Sequence, residues 1–178
     1  MKAMVIETKR LILRPWRESD VDALLEYASD PRIGPAAGWP PHTDRESSLE
    51  VIRNVLAVDG NFAVTLKGDD KAIGSIGIFA VTRLQVAENE PEIGYWIAVP
   101  FWGQGLIPEA VRELMRRNFE ENGGKLLWCA HYDGNDKSRR VIEKCGFSYV
   151  LEQEEDAPLL GERRICHYYK ITSEDWKK

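Results

Sequence analysis

The spacing of apolar positions changes period several times along this chain, and each change marks an element. Residues 8–14 (TKRLILR) alternate as a strand does, and Pro15 closes it because a proline lacks a ladder donor. Glu18, Ser19 and Asp20 offer caps for a helix whose inner stripe includes Val21, Leu24, Leu25 and Ala28. A Pro- and Gly-rich loop covers 30–42, and Thr43 with Glu46 has capping-box spacing for a second helix running to about Val58. Residues 61–66 and 72–79 read as strands joined by a hairpin turn at Gly68, Asp69 and Asp70, and 92–99 as a fourth strand. Ile107, Ala110, Val111, Leu114, Met115 and Phe119 then recur at helical spacing, with Pro108 in the first turn and Gly123 and Gly124 past the end. Glu113 lies one turn before Arg117, which marks a solvated opposite face. Residues 126–132 form a fifth strand and 136–144 a short helix stopped by Gly146. Residues 147–153 and 163–172 complete the sheet, joined by an acidic segment. The fold class is α+β: antiparallel strands early, then one strand–helix–strand crossover.

Composition narrows the field. A chain of 178 residues is read as one domain, 1–178, able to bury a core unaided. The net charge of −5 argues against nucleic acid, whose phosphates need clustered Lys and Arg, and it suits a cationic amine or basic peptide. No apolar run approaches a membrane span and MKAMVIETKR lacks the apolar stretch of a signal peptide, so no membrane partner is expected and the cytoplasm follows by default. Cys129, Cys145 and Cys166 are odd in number and lack CxxC spacing, which leaves no disulfide framework and no structural zinc pattern.

The chemistry concentrates between Glu92 and Phe147. A strand delivers the turn Gly103-Gln104-Gly105 onto a helix start, exposing unpaired N–H groups at the positive end of a helix dipole, which suits a phosphate. A second strand-to-helix junction follows at Asn135 and Ser138. A dinucleotide fingerprint is a poor match, because Pro108 stands where the third glycine belongs.

The run VPFWGQGLI (99–107), with Asn135, Ser138 and Gly146-Phe147 downstream, resembles the acetyl-CoA-binding core of the GNAT N-acetyltransferases. TKRLILRPWRESD, GWPPHT, EIGYW and PEA resemble the RimJ/RimL-like branch, and the likeness covers nearly the whole chain. The resemblance implies the GNAT fold: a mixed, mostly antiparallel sheet splayed between strands 4 and 5 and flanked by helices. It implies acetyl-CoA as co-substrate, no metal, and a pantetheine arm against Ile97, Ala98 and Val99. The pyrophosphate would sit on the amides of Gly103, Gln104, Gly105, Leu106 and Ile107. The chain departs from the general pattern at Trp102, where Arg or Gln is usual, and at Ile107, where Gly or Ala is usual. Amide donors do not depend on the side chain, so phosphate binding is expected to survive.

By the same resemblance Asn135 would bond the pantetheine chain, although Asn is also a strong helix cap and both roles can coexist. Many family members place a thiolate-protonating tyrosine where this chain has Ile142, so Ser138, one turn earlier, is the available hydroxyl; a capping serine is the alternative. Glu92 is the first choice of general base, since family members often use an acidic residue near this strand; a strand-end carboxylate paired with an Arg is the alternative. Alternation places it on the face of Gly94, Trp96 and Ala98. His131 is a rival base. Trp39 and His42, in the proline-rich loop, and Trp96 are expected to wall the acceptor site; Trp39 alternatively anchors that loop in the core. The implied reaction moves an acetyl group directly to a primary amine of a protein or peptide N-terminus, by a monomer or homodimer. A small-molecule amine such as a polyamine or antibiotic, and a non-catalytic acyl-CoA sensor, are the alternatives.

Overall fold

The protein is described by a computed structural model covering residues 4–81 and 83–178. Its strands are β1 (Ile6–Glu7), β2 (Leu11–Arg14), β3 (Asn61–Leu66), β4 (Asp69–Ala80), β5 (Pro91–Ile97), β6 (Leu126–Tyr132), β7 (Ser148–Ala157) and β8 (Glu162–Thr172). Its helices are α1 (Val21–Ala28), α2 (Gly34–Ala37), α3 (Arg45–Val51), α4 (Leu106–Arg116), α5 (Asp136–Lys144) and α6 (Ser173–Trp176). The strands make a mixed sheet in the order β1-β2-β3-β4-β5-β6-β8-β7. Two compact units share strands β4 and β5: one takes the chain up to Gly77 with Tyr95–Ala110, the other Ile78–Gly94 with Val111–Lys178.

In the first unit β1, β2, β3 and β4 pair antiparallel in succession. The inner stripe of α1, made of Val21, Leu24 and Ala28, packs with Trp16, Ile52 and Ala63, and Trp39 and Trp96 lie against that cluster. A buried ion pair closes β2 onto the start of α1. Arg14 holds both carboxylate oxygens of Asp20 at 2.8 and 2.9 Å. Its remaining N–H groups reach Pro15 O, Asp70 O and Asp70 Oδ1, so all five donors are satisfied.

In the second unit β5 runs parallel to β6, with Glu92 opposite Trp128 and Ile93 opposite Cys129. β8 lies antiparallel between β6 and β7. Trp128, Cys166 and Tyr168 form the centre of its core with Val81 and Leu84.

β6 and α5 match the sequence reading residue for residue, and several other boundaries move. The strand read at 8–14 is a turn followed by β2, because Thr8 N–H closes a hairpin on Leu11 O at 3.0 Å. Thr43 does not cap the second helix: the Asp44 carboxylate accepts from Ser47 N at 2.7 Å, and the helix widens into a π turn at Ile52–Leu56 instead of reaching Val58. The β3–β4 turn is Lys67-Gly68, since Leu66 already pairs with Asp69. The acidic segment is mostly strand. Glu154 and Asp156 approach Arg163 on one face, while Glu155 turns inward to Tyr168 and Arg83. Glu113 pairs with Arg116 at 2.8 Å, and Arg117 goes to Glu121.

Candidate active site

The predicted site residues divide between the two units. In the first, β5 ends at Ile97 and the chain makes one 3-10 turn (Val99–Phe101) before the glycine turn and α4. Gly103 and Gly105 have φ of 73° and 72°, the left-handed region in which a side chain is strained. Gly105 serves as the cap of α4, its carbonyl accepting from Glu109 N at 3.2 Å. The N–H groups of Gly103, Gln104, Gly105, Leu106 and Ile107 meet no protein acceptor among the described residues. Five successive main-chain donors stand at the start of an eleven-residue helix, an arrangement suited to an anion, and two glycines keep side chains away from them.

The two departures from the family pattern have structural reasons. Trp102 sends its indole N–H to Ile97 O at 2.9 Å, bracing the turn against the end of β5. Ile107 is buried in the core together with Leu106, so its bulk fills space away from those donors. Of the residues read as pantetheine contacts, Ile97 O is taken by Trp102, and Ala98 N–H is taken by Ile73 O at 2.8 Å. The Val99 N–H has no protein acceptor among the described residues.

Trp39, His42 and Trp96 are brought together. The Trp39 ring lies 6.0 Å from Trp96 and 5.4 Å from His42, and Trp96 lies 6.4 Å from Trp16. Trp39 packs over Gly34, where a Cβ would stand 2.5 Å from the indole. The proline-rich loop is therefore anchored in the first unit's core by Trp39, which is the anchoring alternative. His42 N–H donates to Ala28 O and its Nδ1 meets Ser48 Oγ at 2.9 Å. Burial pushes the His42 pKa down, against the pull of Asp44.

The second unit holds Glu92, Asn135 and Ser138. Burial pushes the Glu92 carboxyl above its ordinary range; the guanidinium of Arg83, 3.8 Å away, works against this and Glu155 adds to it. Arg83 is also fixed to Glu155 at 2.6 Å and to Tyr132 Oη at 3.0 Å. Glu155 in turn accepts from Tyr168 and Gln153. Asn135 acts as the cap of α5, its side chain accepting from Ser138 N at 3.3 Å. Ser138 is half-buried, whereas Ile142 is fully inside the core.

His131, the rival base, is buried and hydrogen-bonded through both ring nitrogens. Its Nδ1 meets Tyr132 O at 2.9 Å and its Nε2 meets Tyr169 Oη at 3.2 Å, and burial pushes its pKa down. His131 faces His167 across the β6–β8 ladder and Tyr132 faces Cys166. Among the described residues no group of three or more His, Cys, Asp and Glu is placed to hold a metal ion, and no helix is long and apolar enough to cross a membrane.

Two features carry no role in the sequence reading. Arg83 and Glu155 meet across seventy-two positions, which no local pattern announces. Thr8 and Arg10 both hold Glu109 of α4, at 2.6 and 2.7 Å. Both ends of that contact sit in motifs quoted above (TKRLILR and PEA), and that was the available signal.

Comparison with known proteins supplies the family. The model of the acetyltransferase (GNAT) domain matches residues 10–148. A Bacillus subtilis (strain 168) protein named "Putative ribosomal N-acetyltransferase YdaF" is 33% identical over 177 residues, 95% of this chain and 94% of that protein. The "FsC-acetyl coenzyme A-N(2)-transacetylase" of Aspergillus fumigatus is 34% identical over 185 residues, 96% of this chain and 77% of that protein. A crystal structure of a GNAT-family acetyltransferase from Bacillus anthracis superposes with a TM-score of 0.83 at 24% identity, over 96% of this chain and 99% of that one, and shows the fold. With a family model across most of its length and relatives named for the activity, this chain belongs to the GNAT acetyltransferases and is an N-acetyltransferase.

Proposed function

We propose that this enzyme transfers the acetyl group of acetyl-CoA directly to the α-amine of a protein or peptide N-terminus, within a single catalytic domain of the RimJ/RimL-like kind. The observation that carries the cofactor half is the run of five unpartnered N–H groups at 103–107, a donor set suited to a diphosphate. Val99 N–H offers a further main-chain donor for the pantetheine arm. Acetyl-CoA supplies the acetyl group as a thioester and departs as the CoA thiol. Glu92 takes the proton from the amine, and its raised pKa makes it a stronger base than an exposed carboxylate. Ser138 delivers its hydroxyl proton to the departing sulfur and takes one back from solvent, to which Glu92 releases the amine proton; Asn135 sets the first turn of α5 on which Ser138 stands. The acceptor assignment is supported by the acidic net charge and by the likeness to the Bacillus subtilis relative. A small-molecule amine is the second reading, favoured by the equal likeness to the Aspergillus fumigatus relative.

Calorimetry with CoA and acetyl-CoA tests the cofactor half, and absence of heat and of thermal shift overturns it. Thiol release with a panel of N-terminal peptides, polyamines and aminoglycosides tests the acceptor. Turnover on peptides alone supports the proposal, turnover on small amines alone supports the second reading, and binding without turnover on any amine identifies a sensor.

A further inference from the structure

We propose that Arg10 is a cofactor-binding residue whose guanidinium joins the main-chain N–H groups of 103–107 in holding the diphosphate, with Glu109 as the residue that positions it. The proposal rests on the diphosphate reading given above. Arg10 is anchored on three sides. Its Nε and its main-chain N–H each reach a Glu109 oxygen at 2.7 Å, and its Nη1 donates to Gln104 O, inside the glycine turn, at 2.9 Å. Its Nη2 stands 3.7 Å from where a Cβ on Gly105 would lie and meets no protein acceptor among the described residues. The side chain is 44% exposed, so a ligand can reach it. A guanidinium gripped by its other nitrogens, with one pair of N–H groups left beside an anion cradle, is preorganised for a phosphate oxygen.

Charge balance gives the arrangement a second reason. Glu109 lies in the first turn of α4, where a carboxylate is favoured by the helix dipole but would repel a diphosphate bound at the same end. Burial opposes ionisation of Glu109, yet the hydrogen bonds from Thr8 and Arg10 hold its carboxyl below the usual range, so its charge is present at neutral pH. Arg10 cancels that charge and leaves the cradle positive. The turn itself carries no cation between Val99 and Ile107, and Arg10 reaches in from just before β2.

The test is calorimetry with CoA at several ionic strengths on wild type, Arg10→Met, Arg10→Lys and Glu109→Gln, with melting curves for each. Arg53→Met, which removes a guanidinium paired with Glu18, is the charge-matched control. Arg10→Met is expected to weaken CoA about tenfold, the scale of one charge-assisted contact, and to flatten the salt dependence. Glu109→Gln, which loosens the anchor but keeps the cation and removes a carboxylate beside the cradle, is expected to weaken CoA binding by less than Arg10→Met does and to keep the wild-type salt dependence. Dephospho-CoA, which keeps the diphosphate and lacks the 3′-phosphate, should show the same Arg10→Met loss. If Glu109→Gln weakens binding as far as Arg10→Met while the salt dependence is unchanged, Arg10 only braces the turn and the proposal fails. Should Arg10→Met prove unstable, Arg10→Lys and Glu109→Gln decide between the two. Wild-type protein that binds no CoA overturns the diphosphate reading itself, a separate outcome.

Discussion

Asp20→Asn isolates the buried ion pair that closes β2 onto α1. Both side chains are almost wholly inside, Arg14 3% and Asp20 7% exposed, so solvent screens the pair little. The hydrogen bonds to Asp20 are the largest influence holding the Arg14 pKa above its ordinary value. The substitution keeps the shape, removes the charge, and weakens the bond from Arg17 N, 2.8 Å long in the native protein. Breaking a buried pair from one side costs about 3–5 kcal/mol, because the other charge stays inside unpaired. Asp70 remains beside Arg14 but is 69% exposed and compensates only in part, which places the loss near the lower end, about 3 kcal/mol. For a chain of this size that corresponds to a fall in Tm of roughly 6–12 °C. Urea denaturation of wild type, Asp20→Asn, and a double variant Arg14→Met/Asp20→Leu measures it. The double variant should recover much of the loss, since replacing both charges removes the stranded cation. A loss under about 1 kcal/mol for Asp20→Asn would falsify the reasoning, because such a value belongs to an exposed pair.

The remaining predictions concern the site. Ser138→Ala should lower turnover about a hundredfold while leaving the Kd for acetyl-CoA within a few-fold; unchanged turnover removes Ser138 from the reaction. Activity should rise with pH through the raised pKa of Glu92, as its base form appears, and Glu92→Gln should abolish that acidic limb; a persisting limb assigns the base elsewhere. Gly103→Ala should cost about 1–2 kcal/mol of stability, because φ is 73° while an added Cβ meets nothing within 4 Å; a loss several times larger in denaturant titration would reveal a contact the structure does not contain. Cys129, Cys145 and Cys166 are buried, and burial pushes the Cys166 thiol up to about 12. Native protein should therefore react with a thiol reagent only at its unfolding rate, and fast stoichiometric labelling would contradict that burial.

How much of the site was legible depends on the range of each interaction. The glycine turn, the cap at Asn135 and the bounds of β6 and α5 follow from preferences within a few residues, and pattern reading finds them. Thr43 and Asp44 are adjacent potential caps, and local pattern alone does not rank them; the observed one is the residue that also accepts from Ser47. Strand alternation gives Glu92 its face, but the guanidinium beside it comes from Arg83, in a loop without periodicity. The residues of the turn at 8–10 alternate as a strand does, yet the backbone closes on Leu11 and the side chains of Thr8 and Arg10 go to α4.

The amino-acid order by itself indicated most of the elements, the family likeness and the glycine turn, because φ preferences, capping and amphipathic period act between near neighbours. Tertiary structure decided which charges meet: Arg10 with Glu109 across ninety-nine positions, and Arg83 with Glu155 across seventy-two. Such pairs depend on hairpin register and on how helices seat against strands, and a one-residue slip in a strand turns every side chain to the other face. They form only once the chain has folded, and that is why no local pattern carried them.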